Sequence, residues 1–174
     1  EDVLRRQSIV NAGVQFILRY QNENGSFDQQ EFLYENGILD YISEVLGDSA
    51  MTSPRLWSAE RKGKDRDDLA EYKVKYNFAF AFSKTVKLNE YYHNSSFLEY
   101  GGSTEKAVRQ AFTSFLDSYM KANNKYNKSE AKIQFVDVED CLVMVSNSSA
   151  TQTSYENQTK KAINNKFIYD AAVD

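Results

Sequence analysis

The sequence predicts an α+β fold in which helices cover one face of a mostly antiparallel sheet. The stretch "YKVKYNFAFAFS" alternates with the period of a strand, and residues 103–122 change to the period of a helix. Strands precede this helix, and a further strand and helix follow it, which is the element order of an α+β layer. The 174 residues are the length of one domain with its own core.

The first elements are predicted to be a helix, a β-hairpin and a second helix. Residues 1–12 carry apolar side chains at near-helical spacing up to Gly13, which indicates the tail of a longer helix. "VQFILRY" and "QEFLY" flank the Asn-Gly turn of "NENGS", the pattern of a hairpin. "NGILDYISEVLG" has the apolar face of a short helix that ends at Gly47.

The middle of the chain predicts strands separated by one polar segment. An ambiguous region contains a candidate strand, "RLWSA", and the mixed-charge run "ERKGKDRDD" after it is typical of a solvated, mobile loop. In "YKVKYNFAFAFS" the aromatic residues share one face, and Lys73 and Lys75 lie on the other. We expect "NEYYHNSSF" to pair with this strand across a turn near residues 87–89.

The C-terminal half begins with a long helix. Its apolar stripe predicts about 20 helical residues, and Ser103 or Thr104 can cap its first turn. Two apolar stretches follow at residues 133–138 and 141–145, and the second indicates a buried strand with Cys141 in the core.

Composition and motifs exclude several classes of function. The net charge of −4 argues against binding nucleic acid by bulk electrostatics alone. One cysteine and one histidine, His93, exclude a zinc cluster and give no support to nucleophilic hydrolysis. "LGDSAM" is similar to the Glu-Gly-Asp-Ser-Ala magnesium motif of topoisomerases and primases, but Leu46 occupies the position of the required carboxylate. No metal site is predicted.

The N-terminal residues carry charge and no long apolar run occurs, so we expect a cytoplasmic protein without a membrane segment.

The polar segment "YENQTKKAINNKF" contains the triplet Gln158-Thr159-Lys160. A loop lysine can deliver an ammonium group to a terminal phosphate, and a neighbouring amide can hydrogen-bond to the same oxygens. Three common polar residues taken alone favour an ordinary surface loop.

Four stretches together resemble one family. "RRQSIVNAGVQFILRY", "FLYENGILDYI", "EYGGSTEKAVRQAFTSFLDSYM" and "ENQTKKAINNKF" occur in the order and spacing of the transducer domain of bacterial type IIA topoisomerase B subunits, those of gyrase and topoisomerase IV. The resemblance covers essentially residues 1–174 and implies a split β-α-β fold. It makes residues 1–12 the end of a helix from a preceding ATPase domain, and it places the C-terminal segment before a DNA-cleavage core.

The resemblance also implies roles for individual residues. Gln158 and Lys160 would contact the γ-phosphate of ATP held by the ATPase domain, with Lys160 assisting catalysis. Arg109 would line the cavity through which DNA passes, although a surface ion pair is an open alternative for an arginine on a helix. ATP and Mg²⁺ belong to the full-length enzyme, and we expect neither on this fragment. The implied partners are double-stranded DNA, the enzyme's own ATPase and cleavage-core domains, the A subunit and a second B subunit.

Two positions depart from the family pattern. Asn36 replaces the first glycine of a Glu-Gly-Gly triplet, and Thr104 replaces a histidine after Gly101-Gly102-Ser103. An alternative of a different class is a free-standing α+β module that binds RNA or a protein through the Lys73/Lys75 face.

Overall fold

The structure is a computed structural model that describes residues 1–173. It has five helices, nine strands and a short 3₁₀ turn at Gly47–Ser49 within that range. In chain order the elements are α1 (Asp2–Val10), β1 (Phe16–Gln21), β2 (Phe27–Phe32), α2 (Ile38–Leu46), β3 (Arg55–Gly63), β4 (Tyr72–Phe82), β5 (Leu88–His93), β6 (Ser96–Phe97), β7 (Gly101–Gly102), α3 (Ser103–Ala122), α4 (Phe135–Glu139), β8 (Leu142–Ala150), β9 (Ala162–Ile163) and α5 (Lys166–Val173).

A five-stranded sheet in the order β3-β4-β8-β5-β6 forms the centre of the fold. Within this sheet only β5 and β8 are parallel, and the chain between them passes through α3 and α4, which gives the β-α-β unit that the resemblance implied. The other strand pairs of this sheet are antiparallel. The predicted α+β class with a mostly antiparallel sheet is therefore confirmed.

The predicted pairing of "NEYYHNSSF" with β4 is wrong. Strand β8 lies between β4 and β5, with Leu88 opposite Val143 on one side and Ala79 opposite Val145 on the other. The first five residues of β8 are fully or almost fully buried. A strand that is apolar on both faces is most stable in the middle of a sheet, so β8 displaces the local β4–β5 contact.

Helices cover both faces of the sheet, where the sequence led us to expect one. The aromatic face of β4 packs with residues of α3, α4 and α5, and Phe80 meets Phe112 of α3 at 5.8 Å between ring centroids. Ala79 and Ala81 on the opposite face pack against α1 and α2. These two alanines occupy little volume above the sheet, so the second helix layer can approach it closely.

Some predicted boundaries are confirmed and others change. The hairpin β1–β2 and the end of α2 at Gly47 are confirmed. Strand β3 extends to Gly63 and includes the first residues of the supposed mobile loop. The apolar stretch 133–138, to which the sequence analysis assigned no element, contributes to a short helix, α4. Gly102, with a φ of 76°, is the N-cap of α3, and neither Ser103 nor Thr104 caps the helix with its side chain.

Candidate functional site

Gln158, Thr159 and Lys160 form the tip of a short hairpin-like loop. Tyr155 and Ile163 form an antiparallel bridge at its base, and the Glu156 amide donates to the Ala162 carbonyl at 3.0 Å. The Lys160 amide donates to the Asn157 carbonyl at 3.3 Å, which closes a four-residue turn. The triplet is thus held in a defined turn whose side chains are exposed.

Lys160 has the geometry of an available cation. Its φ of 56° lies in the left-handed region, and its Nζ is 5.7 Å from the centroid of the Tyr155 ring. The ion pairs within residues 1–173 include Lys161 and Lys166 but not Lys160. The Thr159 amide donates to Asn157 Oδ1 at 3.2 Å, so the middle residue of the triplet fixes the turn instead of extending from it.

The base of the loop is joined to the start of α3. Strands β7 and β9 pair in parallel, with Gly102 opposite Ile163. A Cβ on Gly102 would lie 2.1 Å from the Ile163 carbonyl oxygen, so only glycine allows this approach. The Tyr100 amide donates to the Lys161 carbonyl at 3.0 Å just before this contact. The double glycine therefore connects the loop to the helix that carries Arg109.

Asp65 supports the loop from the other side, a role that sequence reasoning missed. Its carboxylate accepts from the Asn165 amide group at 2.8 Å and from the Phe167 backbone amide at 2.8 Å. Asn165 in turn accepts from the Ser154 amide at 2.7 Å. The segment expected to be mobile is thus anchored to the start of α5. No local sequence signal indicates this contact, because Asp65 lies 102 positions before Phe167.

Arg109 lies on α3 among carboxylates and beside an open groove. Its Nε pairs with Glu105 at 2.8 Å, and a terminal nitrogen is 3.7 Å from Glu139. The guanidinium lies 4.6 Å from the centroid of the Phe135 ring. The hydrogen bond to Glu105 raises the pKa of Arg109 above its ordinary value. The surface ion pair considered from the sequence is present, and 43% of the side chain stays exposed.

The groove beside Arg109 has a volume of about 550 Å³ and is lined by α3, α4 and α5. Lys106 contributes a second cation to its wall. Both cations are also ion-paired, Lys106 with Glu156 and Arg109 with Glu105, but the exposed part of each can contact phosphate groups without base recognition.

His93 is a buried, structural residue. The residue is fully buried, with Nδ1 2.8 Å from Ser148 Oγ and Nε2 2.8 Å from Thr153 Oγ1. Burial lowers the pKa of the imidazole to about 4. Within residues 1–173, no three histidine, cysteine, aspartate or glutamate side chains are grouped as a metal site would need.

The Lys73/Lys75 face that carries the alternative function is largely neutralised. Lys73 pairs with Glu60 at 2.7 Å, and Lys75 lies 3.9 Å from the same carboxylate. Lys62 on the neighbouring strand pairs with Glu71 at 2.7 Å. Paired lysines of this kind offer little free charge to RNA phosphates. Lys106 and Arg109 of the groove are ion-paired as well, so this pairing does not by itself decide against the alternative.

The fold is shared with parts of two solved structures, one of gyrase B and one of topoisomerase IV. The chain superposes on the 43K ATPase domain of Thermus thermophilus gyrase B in complex with an aminocoumarin, with a TM-score of 0.71, 17% identity and coverage of 99% of this chain and 43% of that one. For the topoisomerase IV ATP-binding domain of Francisella tularensis the TM-score is 0.68 at 18% identity, with coverage of 99% and 44%. These likenesses define the class of fold, an α+β domain that occurs as one part of those larger structures.

The chain belongs to the DNA gyrase B family, since the sequence model of that family matches residues 37–174. The DNA gyrase B protein of Metamycoplasma arthritidis is 29% identical over 138 residues, 79% of this chain and 22% of that protein. The corresponding protein of Chlamydia muridarum is 24% identical over 171 residues, 97% of this chain and 20% of that protein. The chain thus spans about one fifth of the length of these relatives. Among residues 1–173, no helix has both the length and the apolar character needed to cross a bilayer.

Proposed function

We propose that residues 1–174 are the transducer domain of an ATP-dependent type II topoisomerase B subunit and couple ATP hydrolysis to DNA strand passage. In this proposal Gln158 and Lys160 contact the γ-phosphate of an ATP molecule held by a neighbouring domain. The observation that carries the proposal is the tip of the hairpin-like loop, where an exposed lysine outside the ion pairs of residues 1–173 follows an exposed amide in a fixed turn.

The arrangement of Gln158 and Lys160 is suited to binding a terminal phosphate group. A preorganised ammonium stabilises the charge that develops on phosphate oxygens during transfer, and the amide of Gln158 can donate to the same oxygens. After hydrolysis the γ-phosphate leaves, so the contact that favours one orientation of the domain is lost. ATP and Mg²⁺ would be held by the ATPase domain of the full-length protein.

The proposal for Arg109 is a contact with the backbone of the transported DNA. The exposed part of its guanidinium and the neighbouring Lys106 support this role, because both line the same groove. We also propose that the full-length protein assembles with the A subunit and a second B subunit, that its cleavage core is a further contact of this domain, and that it acts in the cytoplasm.

The decisive experiment replaces Lys160 with alanine in the full-length B subunit and measures ATP turnover with the A subunit and DNA present. We expect turnover and strand passage to fall about tenfold or more, in line with the loss of one preorganised charge donor. DNA cleavage without nucleotide should stay close to the unchanged enzyme. Lys84→Ala is the matched control, because Lys84 is also an exposed lysine outside the described ion pairs. Unchanged turnover in Lys160→Ala would exclude the phosphate contact.

A further inference from the structure

We propose that Lys161 is a positioning residue, which with Glu99 holds the hairpin-like loop so that Lys160 points toward the phosphate. The inference rests on the proposed function of Lys160 and gives a distinct role to the lysine beside it. Two adjacent lysines with the same chemistry act differently because their surroundings differ.

The first support is the contrast between the two ammonium groups. Lys161 forms an ion pair with Glu99 on the segment before β7, and its Nζ lies 5.7 Å from the Tyr100 ring centroid. Lys160 forms no ion pair within residues 1–173 and lies against Tyr155 of the loop itself. One lysine is therefore engaged with the body of the domain, and the other is available to a partner.

The second support is a matching ion pair on the opposite side of the loop. Glu156, which precedes the turn, lies 3.4 Å from Lys106 on α3. Each side of the loop therefore contributes one charged residue, Glu156 or Lys161, to an ion pair with the body of the domain. Their two partners in the body of the domain, Glu99 and Lys106, lie on either side of Gly101 and Gly102 in the sequence.

The third support is the backbone contact between these ion pairs. Because Gly102 approaches Ile163 too closely for any side chain, β9 keeps its position against β7. The Lys161 carbonyl accepts from the Tyr100 amide at 3.0 Å, so the same residue is held by its backbone and by its side chain. Only the turn from Asn157 to Lys160 extends beyond these contacts. Loss of the ion pair between Lys161 and Glu99 would therefore loosen the segment that joins Lys160 to β9.

The test compares Lys161→Ala, Lys161→Arg and the exchange Glu99→Lys with Lys161→Glu in the full-length B subunit. For Lys161→Ala we expect ATP turnover at saturating nucleotide to fall about two- to fivefold, the range that one exposed ion pair supplies. The KM for ATP should change less than about twofold, because the ATPase domain holds the rest of the nucleotide. Lys161→Arg and the charge exchange should recover at least about half of the lost turnover, because both restore an ion pair.

Hydrogen exchange gives a readout that is independent of turnover. The amides of Glu156 and Lys160 donate within the loop, so they should exchange faster in Lys161→Ala than in the unchanged protein. Lys166→Ala is the control, because Lys166 pairs with Asp170 inside α5 and should leave the loop amides unaffected.

Combination with Lys160→Ala separates the inference from the proposed function. If Lys161 acts only by positioning Lys160, then Lys161→Ala should cause no further loss of turnover in the Lys160→Ala protein. An equal additional loss would show a direct role for Lys161 and overturn the inference. Reduced turnover in Lys160→Ala together with unchanged turnover and exchange in Lys161→Ala would also overturn it, while the phosphate contact itself would stand.

Discussion

The buried histidine should make the stability of this domain depend on pH below neutrality. His93 is inaccessible to solvent, and its imidazole has a pKa of about 4 instead of the ordinary 6.5. The unfolded chain binds a proton below pH 6.5 that the folded protein does not accept until pH 4. The contribution of neutral His93 is therefore complete above pH 6.5 and is lost as the pH falls to 4, for a total of about 3 kcal/mol.

Urea unfolding followed by the fluorescence of Trp57, the only tryptophan, measures this effect. Between pH 7.5 and pH 4.5 the unchanged chain should lose about 2.5 kcal/mol more unfolding free energy than His93→Gln, whose amide does not titrate. The comparison removes the contribution of carboxylates with lowered pKa values, such as that of Glu99 beside Lys161, because both proteins share them. Equal losses in the two proteins would refute the assignment of a neutral, buried imidazole.

Two further predictions concern the supports of the loop. Gly102→Ala places a Cβ 2.1 Å from the Ile163 carbonyl at a positive φ and should cost at least about 2 kcal/mol of unfolding free energy more than Gly47→Ala, which has positive φ but open space. Equal costs in urea unfolding would contradict the close approach. Asp65→Asn weakens the hydrogen bonds to the start of α5 and should lower stability by about 1–2 kcal/mol, whereas Asp67→Asn, at an exposed aspartate, should change it by less than about 0.5 kcal/mol.

Local pattern was sufficient for most of the elements. The alternation of β4, the Asn-Gly turn between β1 and β2 and the apolar stripe of α3 each depend on neighbours a few residues apart, which the sequence displays directly. Gly47 at the end of α2 follows from the same local reasoning. A functional role for the triplet at 158–160 was predicted only from its similarity to a family, because polar loop residues have no distinctive period.

Contacts between residues far apart in the sequence could not be predicted from local patterns. The insertion of β8 between β4 and β5 joins residues more than fifty positions apart, and the anchoring of α5 by Asp65 joins residues about one hundred apart. Such pairings depend on which buried surfaces fit together, and a local sequence period contains no information about them. For the same reason, the packing of α1 and α2 over Ala79 and Ala81 was not predicted.

The sequence by itself determined most of the strands and helices, and its similarity to the topoisomerase family indicated where a phosphate contact should be sought. The resemblance assigned the phosphate contact to Lys160, but only the tertiary structure showed how the surroundings of the adjacent Lys161 differ. Lys161 meets Glu99 because β7 and β9 come together at Gly102, and Lys160 lies beyond that contact on the turn. The physical reason is that the environment of a charge depends on folded neighbours far away in the chain.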